Sequence, residues 1–349
     1  MLALAGIPLG LRFRFLDPAP DACAGTVGEL VTGALTDTEA ARRVATGAAV
    51  VTYEWEGVPA ATAQAAAEVA PLAPPATALD VAQDRVAEKE LFARLGIPTA
   101  RFAAVDDRAS FDRAVAEIGL PAVVKTRRGG YDGKGQAVLR RAEDADSAWE
   151  ALGGVPLIVE AFVSFDRELS VVAVRGRDST TATWPVGENE HRDGILRVTR
   201  APALDLDPAH HGRAEHLAHA VLDALSYVGV LCIELFEAGG ELLANELAPR
   251  VHNSGHWTIE GAETSQFDNH LRAVLGWPLG STRARGVAAM VNCIGALPAP
   301  SAVAAVAGAH LHDYGKAPRP GRKVGHVTVT AADDAELALR LAAVERAIT

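Results

Sequence analysis

Lysine and cysteine are scarce in this chain, acidic residues outnumber basic ones, and no uninterrupted apolar run is long enough to cross a lipid bilayer. Only five of the 33 basic residues are lysines, and the 44 acidic residues leave a formal charge of −11 at pH 7. A net acidic surface repels a nucleic-acid backbone as a whole, yet it leaves room for a local basic pocket around a small anion. Cys23, Cys232 and Cys293 show neither metal-ligand spacing nor a disulfide pattern, which makes a reducing cytoplasm the expected setting. Cys232, in VLCIEL, reads as core rather than nucleophile. The most lipid-like stretch, Val287 to Leu311, is broken by Asn292, Pro298, Pro300 and Ser301, so soluble core plus loop is expected there rather than a membrane span. The opening residues do not read as a secretory leader. With 49% apolar and 22% charged residues over 349 positions, disorder and fibrous repeats are excluded and two or three compact units are expected.

What is present alternates in character along the chain. LRFRFLD (Leu11–Asp17), a helical stretch from Thr36 to Ala48, and AVVTYEWE (Ala49–Glu56) give the strand, helix, strand rhythm of a parallel sheet. After a proline-rich bridge, Asp80 with Gln83 is expected to form a capping box for a helix that ends at Gly96 before Pro98. A second unit starts near Thr99: Phe111, Val115 and Ile118 recur at helical spacing, AVVK (Ala122–Lys125) reads as a strand, and VPLIVEAFV (Val155–Val163) as another. ELSVVAVRG (Glu168–Gly176) opens a third unit, in which Leu217, Val221 and Leu225 mark one helix face. Two strands flank Gly239-Gly240, a glycine-rich basic loop covers YGKAPRPGRKVGHVTVT, and a closing helix begins near Asp333. The order predicts an α/β unit over 1–80, a linking helix over 81–98, a small α+β unit over 99–168, and a larger antiparallel-sheet unit over 169–349.

Two constellations carry chemistry. Lys125 to Gln136, KTRRGGYDGKGQ, holds four glycines between Gly129 and Gly135 after a strand, and matches neither GxxxxGK[ST] nor GxGxxG. Glycines let backbone N–H groups approach a phosphate, and Lys125 and Lys134 add point charges. Lys316 and Lys323 sit in the other glycine loop, so four of the five lysines fall in these two loops. The hairpin at Gly239-Gly240 carries Glu234 on one strand and Asn245-Glu246 on the other, a set of oxygen donors suited to Mg2+ shared with phosphates. A regular two-residue turn puts Glu234 opposite Asn245 and sends Glu246 to the other face. A bulge or a longer loop brings the glutamates together; otherwise one of them is a solvent-side charge.

These residues, taken together, give the sequence a specific likeness. TYEWEGVP, QDRVAEKELF, VVKTRRGGYDGKGQ, WPVGENEHRDGILR, NELAPRVHNSGHWT and PGRKVGHV resemble the N5-carboxyaminoimidazole ribonucleotide synthase family of ATP-grasp enzymes, over nearly the whole chain. The resemblance implies a three-domain ATP-grasp fold, α/β and α+β, with an N-terminal parallel-sheet domain. The usual first strand and GGGQL-like loop of that domain do not precede MLALAGIPLG, so it is expected to be truncated. Gly57 also stands where the family usually has Asn.

The implied reaction carboxylates 5-aminoimidazole ribonucleotide with bicarbonate, using ATP and Mg2+, in a cytoplasmic homodimer. Arg85 and Lys125 are then expected at the ATP phosphates, under a lid of Gly130, Tyr131, Asp132, Gly133, Lys134, Gly135 and Gln136. Glu160, Ala161, Phe162 and Val163 are expected at the adenine, Glu168 at the ribose, and His191 on the nucleotide side. Glu234 and Glu246 would take the metal with Asn245 nearby. Tyr131, Asp132, Arg250 and His252 would form the carboxylation site, Glu54 would face the ribonucleotide, and Lys316, Arg322 and Lys323 would anchor its phosphate. Another ATP-grasp carboxylate–amine ligase, or a nucleotide-binding protein without catalysis, is the alternative.

Overall fold

A computed structural model describes residues 1–130 and 134–348. The expectations for Tyr131, Asp132 and Gly133 therefore lie outside the described residues. In the first part, β1 (Arg14–Asp17) and β2 (Glu29–Thr32) pair in parallel. Helix Thr38–Ala45, capped by the Asp37 carboxylate accepting from the Ala40 N–H, packs on helix Ala60–Ala67. Small side chains, Ala41, Ala45, Ala66 and Ala70, make that contact.

Two expectations need correcting here. Ala49–Glu56 does not form a strand: Val51 alone makes a parallel bridge, to Leu72, and no ladder joins this segment to β1 among the described residues. Leu16 of β1 and Val51 both pack against the alanine cluster, but only Val51 finds a backbone partner, on one edge. The capping box at Asp80 is also absent, because Asp80 lies inside helix Ala76–Ala82. A second helix, Arg85–Arg94, starts after a break, with the Asp84 carboxylate accepting from the N–H groups of Val86 and Ala87. Arg127 and Arg128 clamp the same carboxylate, while the Gln83 amide donates to the carbonyls of Glu56 and Val58. Asp84 thus outcompetes Asp80 as the cap, and Arg85 becomes a first-turn residue.

The second unit is a four-stranded antiparallel sheet. β3 (Phe102–Val105), β4 (Ala122–Thr126), β5 (Gln136–Leu139) and β6 (Leu157–Ala161) take the order β3-β6-β4-β5. Phe111, Ala114 and Ile118 of helix Arg108–Ile118 pack against Ala122, Val124 and Val159. Because Lys125 pairs with Gln136, the glycine-rich stretch is the connection between β4 and β5.

The third unit is an antiparallel sheet built from β7 (Arg167–Arg175), β8 (Thr181–Thr183), β9 (Gly187–Arg192), β10 (Ile195–Ala201), β11 (Gly229–Ala238), β12 (Glu241–Ala248), β13 (Val287–Ile294), β14 (Ala309–Asp313) and β15 (Lys323–Ala331). Its order is β12-β11-β7-β9-β10-β13-β15-β14, with β8 on β7. Leu217 and Val221 of helix Pro208–Ala224 share a core cluster with Leu231 and Ile233 of β11. Phe267 and Leu271 of helix Gln266–Leu275 cluster instead with Val230 and Cys232 of the same strand. Alternation along β11 therefore feeds two cores. The expected basic loop is shorter than its sequence suggests: residues 314–322 form it, and Lys323 already begins β15, whose valines are buried between β13 and β14. The Val287–Leu311 stretch is β13, a turn, helix Pro300–Ala304 and part of β14. No helix among the described residues is long and apolar enough to cross a membrane.

Candidate functional site

The hairpin between β11 and β12 resolves the question of strand parity. Gly239 and Gly240, at φ of 57° and 79°, make a two-residue turn with Ala238 opposite Glu241. Positive φ at both positions suits a turn whose twist matches that of the strands, and glycine adopts it without a Cβ penalty. Pairing is regular to Leu235 opposite Ala244 and then shifts, so that Glu234 faces Glu246 and Asn245 is the extra residue. That bulge brings both glutamates to one face.

Burial, reinforced by Glu246, raises the Glu234 carboxyl to about 7. Glu246 Oε1 lies 3.3 Å from Arg85 Nη1, and Glu234 Oε1 lies 3.4 Å from His252 Nε2. Two mutually repelling carboxylates, one of them largely buried, fit a divalent cation that takes its remaining oxygens from phosphates and water. Among the described residues no group of three or more His, Cys, Asp or Glu side chains converges as a complete cage.

β4 and β6 place Lys125 Nζ 2.8 Å from Glu160 Oε2, the glutamate buried and the lysine partly so. Burial pushes the Glu160 carboxyl up, but Lys125 and Lys89 more than offset it, leaving it below its ordinary value. Its Oε1 is buried without a hydrogen-bond partner. Just beyond, the N–H groups of Ala161 and Phe162 already donate to the carbonyls of Arg101 and Pro121. Those two donors are therefore occupied rather than presented to a base edge. Phe162 and Val163 line the cavity beside Phe165, whose ring stacks on Phe236 at 4.6 Å. Glu168 Oε2 sits 3.0 Å from His191 Nδ1. Burial alone would lower the imidazole, and the bond to Glu168 raises it overall.

On the other side of the glutamate pair, Arg250 Nη2 meets Glu56 Oε2 at 2.6 Å. His252, its Nδ1 2.8 Å from Ser254 Oγ, is held neutral by burial and by the positive charge of Arg250. Lys316 lies over the Tyr314 ring, 5.2 Å from its centroid, and the Tyr314 hydroxyl contacts His326 Nδ1 at 2.8 Å. Burial lowers the Lys316 ammonium, assisted by Arg322 and Lys323. Arg322 donates to the Ala317 carbonyl, which folds the loop on itself.

One cavity of about 2440 Å³ joins these groups. Arg85, Lys125, Gly130, Lys134, Gln136 and Glu160 line it, followed by Ala161, Phe162, Val163, Glu168 and His191. Glu234, Asn245, Glu246, Arg250 and His252 form its middle, and Glu54, Lys316, Arg322 and Lys323 its far part. Gly135 is the described exception; it lines a smaller cavity of about 680 Å³ and leaves only 2.7 Å between an added Cβ and Thr126 Oγ1. Glu54 reaches the cavity, but its carboxylate accepts from the Leu2 N–H, and it is Glu56, two residues on, that pairs with Arg250. Glu56, Phe165 and Phe236 were not legible as site residues. The repeated acid in TYEWE and the aromatics in FVSF and ELFE were the available signals.

The antiparallel lid unit, the large sheet behind it and an acid pair between two cationic regions together define an ATP-grasp enzyme. Residues 90–267 match the ATP-grasp domain model, residues 1–83 the ribonucleotide synthetase preATP-grasp domain, and residues 288–340 the phosphoribosylaminoimidazole carboxylase C-terminal domain. The chain belongs to the N5-carboxyaminoimidazole ribonucleotide synthase family, whose members are ATP-dependent ligases. It is 53% identical to the Pseudomonas aeruginosa synthase of that name, covering 100% of this chain and 96% of that one. The Thermus thermophilus synthetase structure superposes with a TM-score of 0.96 at 56% identity, covering 100% of this chain and 95% of that chain. The Aspergillus clavatus synthase, solved in complex with ADP and 5-aminoimidazole ribonucleotide, gives a TM-score of 0.92 at 31% identity, covering 100% and 95%.

Proposed function

We propose that this chain carboxylates the exocyclic amine of 5-aminoimidazole ribonucleotide with bicarbonate, converting ATP to ADP and phosphate. The observation that carries the reading is the single cavity, in which the acid pair Glu234 and Glu246 lies between Lys125 and Arg85 on one side and Arg250, Lys316 and Arg322 on the other. ATP occupies the first region, with adenine against Phe162, Val163 and the Phe165–Phe236 stack, and ribose near Glu168 and His191. Gly130, Lys134 and Gln136, which line the same cavity, face its phosphates. Glu234 and Glu246 would hold Mg2+, which would supply positive charge to neutralise the phosphates. Arg85 and Lys125 add fixed positive charge where the transferred phosphoryl group needs it.

Bicarbonate oxygen attacks the γ-phosphorus and ADP leaves; the resulting carboxyphosphate breaks into carbon dioxide and phosphate. The ribonucleotide amine then attacks carbon dioxide and gives up its proton to the phosphate released with it, beside the neutral His252. Arg250, oriented by Glu56, stabilises the carboxylate charge, and Lys316, Arg322 and Lys323 hold the ribonucleotide phosphate, with Glu54 facing the same substrate. Tyr131 and Asp132 belong to this site in the same reading.

The division into residues 1–80, 81–98, 99–168 and 169–349, the homodimer and the cytoplasmic setting are parts of this proposal; the three separate sheets support the first. Phosphate release should require bicarbonate and the ribonucleotide together. Release driven by an amino acid without the ribonucleotide would favour a different carboxylate–amine ligase, and ATP binding with no release under any combination would favour a non-catalytic binder. Sedimentation at several concentrations tests the dimer.

A further inference from the structure

Glu234 and Glu246 share a face only because β12 carries the Asn245 bulge, and what holds that bulge lies outside the cavity. β12 is an edge strand, so the outward backbone groups around the bulge have no neighbouring β-strand on that side. Unpaired backbone carbonyls buried away from water are costly, and a bulge adds one residue outside the regular ladder. Here helix Arg85–Arg94 and the segment after it supply the partners. Lys89 is 1% exposed, and its Nζ donates to the Asn245 carbonyl at 3.0 Å, the Ala244 carbonyl at 3.3 Å and Thr99 Oγ1 at 2.8 Å. Thr99 Oγ1 in turn donates to the Ala244 carbonyl at 2.7 Å, and the Ala244 N–H donates to the Pro98 carbonyl at 2.7 Å. On the far side of the bulge, the adjacent Glu88 carboxylate accepts from the Leu247 N–H.

A buried ammonium is expensive unless its donors are used. All three N–H groups of Lys89 have acceptors here, two of them the carbonyls of the bulge, and among the described residues no carboxylate lies within ion-pair distance of it. An uncharged side chain could fill the same volume at less cost, so packing alone does not account for lysine at this place. The cavity lining does not include it, which separates its role from that of a phosphate ligand.

We propose that Lys89 is a positioning residue: it holds the Asn245 bulge open from the edge of β12 and thereby sets Glu246 beside Glu234 for the divalent cation. This rests on the reading of the two glutamates as cation ligands. Without the clamp, β12 is free to relax toward the regular register, in which Asn245 faces Glu234 and Glu246 turns away.

The test compares Lys89→Met, which keeps most of the stem, with Glu246→Gln and the parent enzyme. ADP is titrated calorimetrically at stepped Mg2+ concentrations, Mn2+ binding is read by electron paramagnetic resonance, and ribonucleotide is titrated separately. Lys89→Met should raise the Mg2+ concentration needed for tight ADP binding by on the order of 10–100-fold, the range for losing a group that orients a metal ligand. Ribonucleotide affinity should stay within about twofold, a difference of under 1 kcal/mol in binding free energy. If Glu246→Gln shifts the Mg2+ requirement and Lys89→Met does not, the bulge clamp is overturned while the cation site stands. If Glu246→Gln itself shifts nothing, the cation reading fails instead. Equal weakening of Mg2+ and ribonucleotide in Lys89→Met would reduce Lys89 to general packing and also overturn the proposal. Should Lys89→Met not fold, Thr99→Val removes one bond to the same carbonyl and one acceptor of Nζ; a folded Thr99→Val enzyme with unchanged Mg2+ dependence would count against the clamp.

Discussion

Replacing Lys125 with methionine removes a charge that serves both the central sheet and the proposed phosphate site. Its Nζ lies 2.8 Å from Glu160 Oε2, with the two side chains 14% and 5% exposed, and Glu160 Oε1 is already buried without a partner. Truncating one side of a buried ion pair leaves the other charge uncompensated, at a cost of about 3–5 kcal/mol. Lys89 and Arg85 still act on Glu160, so the lower end of that range is expected. Loss of a charge-assisted phosphate contact of about 1.5–3 kcal/mol weakens ATP by roughly 10- to 150-fold, while ribonucleotide binding is spared.

The assay is hydrogen exchange of the β4 and β6 amides, which reads the central sheet without requiring the whole chain to unfold in one step, together with separate ATP and ribonucleotide titrations. Glu160 is held below its ordinary value of 4.5 in the parent, partly by Lys125. In the variant its carboxyl rises, so the exchange penalty should shrink as the pH is lowered and the acid takes up a proton. The double variant Lys125→Met with Glu160→Gln should recover much of the stability but none of the ATP affinity. A loss below about 0.5 kcal/mol, with unchanged ATP binding, would refute both halves of the argument.

Glu246→Gln should lower Mg2+-dependent turnover by a factor on the order of 10²–10³, checked over a Mg2+ titration. Lys316→Ala with Arg322→Ala should raise the ribonucleotide concentration for half-maximal turnover at least about tenfold and leave ATP affinity nearly unchanged; two charge-assisted contacts in one loop need not add. Glu234 keeps its proton in the fold up to about pH 7 but loses it near 4.5 when unfolded, so the nucleotide-free, metal-free protein should lose stability as pH rises through that window. Glu234→Gln should remove that component, on the order of 1 kcal/mol per pH unit, in denaturant melts compared at pH 5 and pH 7. Glu56→Gln should slow turnover more than it raises the ribonucleotide requirement, because it frees Arg250 to rotate; steady-state kinetics that put the whole effect on the ribonucleotide requirement would argue for direct substrate contact by Glu56.

Local pattern determined a great deal of this protein by itself. The apolar runs at β6, β7 and β11, the helix signalled by Leu217 and Val221, and the Gly239-Gly240 turn were legible because hydrophobic period and turn chemistry are properties of neighbouring residues. The concentration of the few lysines in and beside two glycine-bearing stretches likewise pointed to cationic parts of what proves to be one cavity, since that contrast needs no coordinates.

What only the tertiary structure decided are the facts that depend on distant partners. Asp84 rather than Asp80 caps a helix because Arg127 and Arg128, more than forty positions along the chain, converge on it. Ala49–Glu56 has strand-like residues, yet backbone pairing needs a neighbour, and Val51 finds one on a single side. Glu56 rather than Glu54 meets Arg250, a choice made by how the first unit docks on the large sheet. Whether Glu246 stands beside Glu234 or behind the sheet turned on one bulge. That bulge is held by Lys89 and Thr99, which touch neither glutamate and which no period along β12 could reveal.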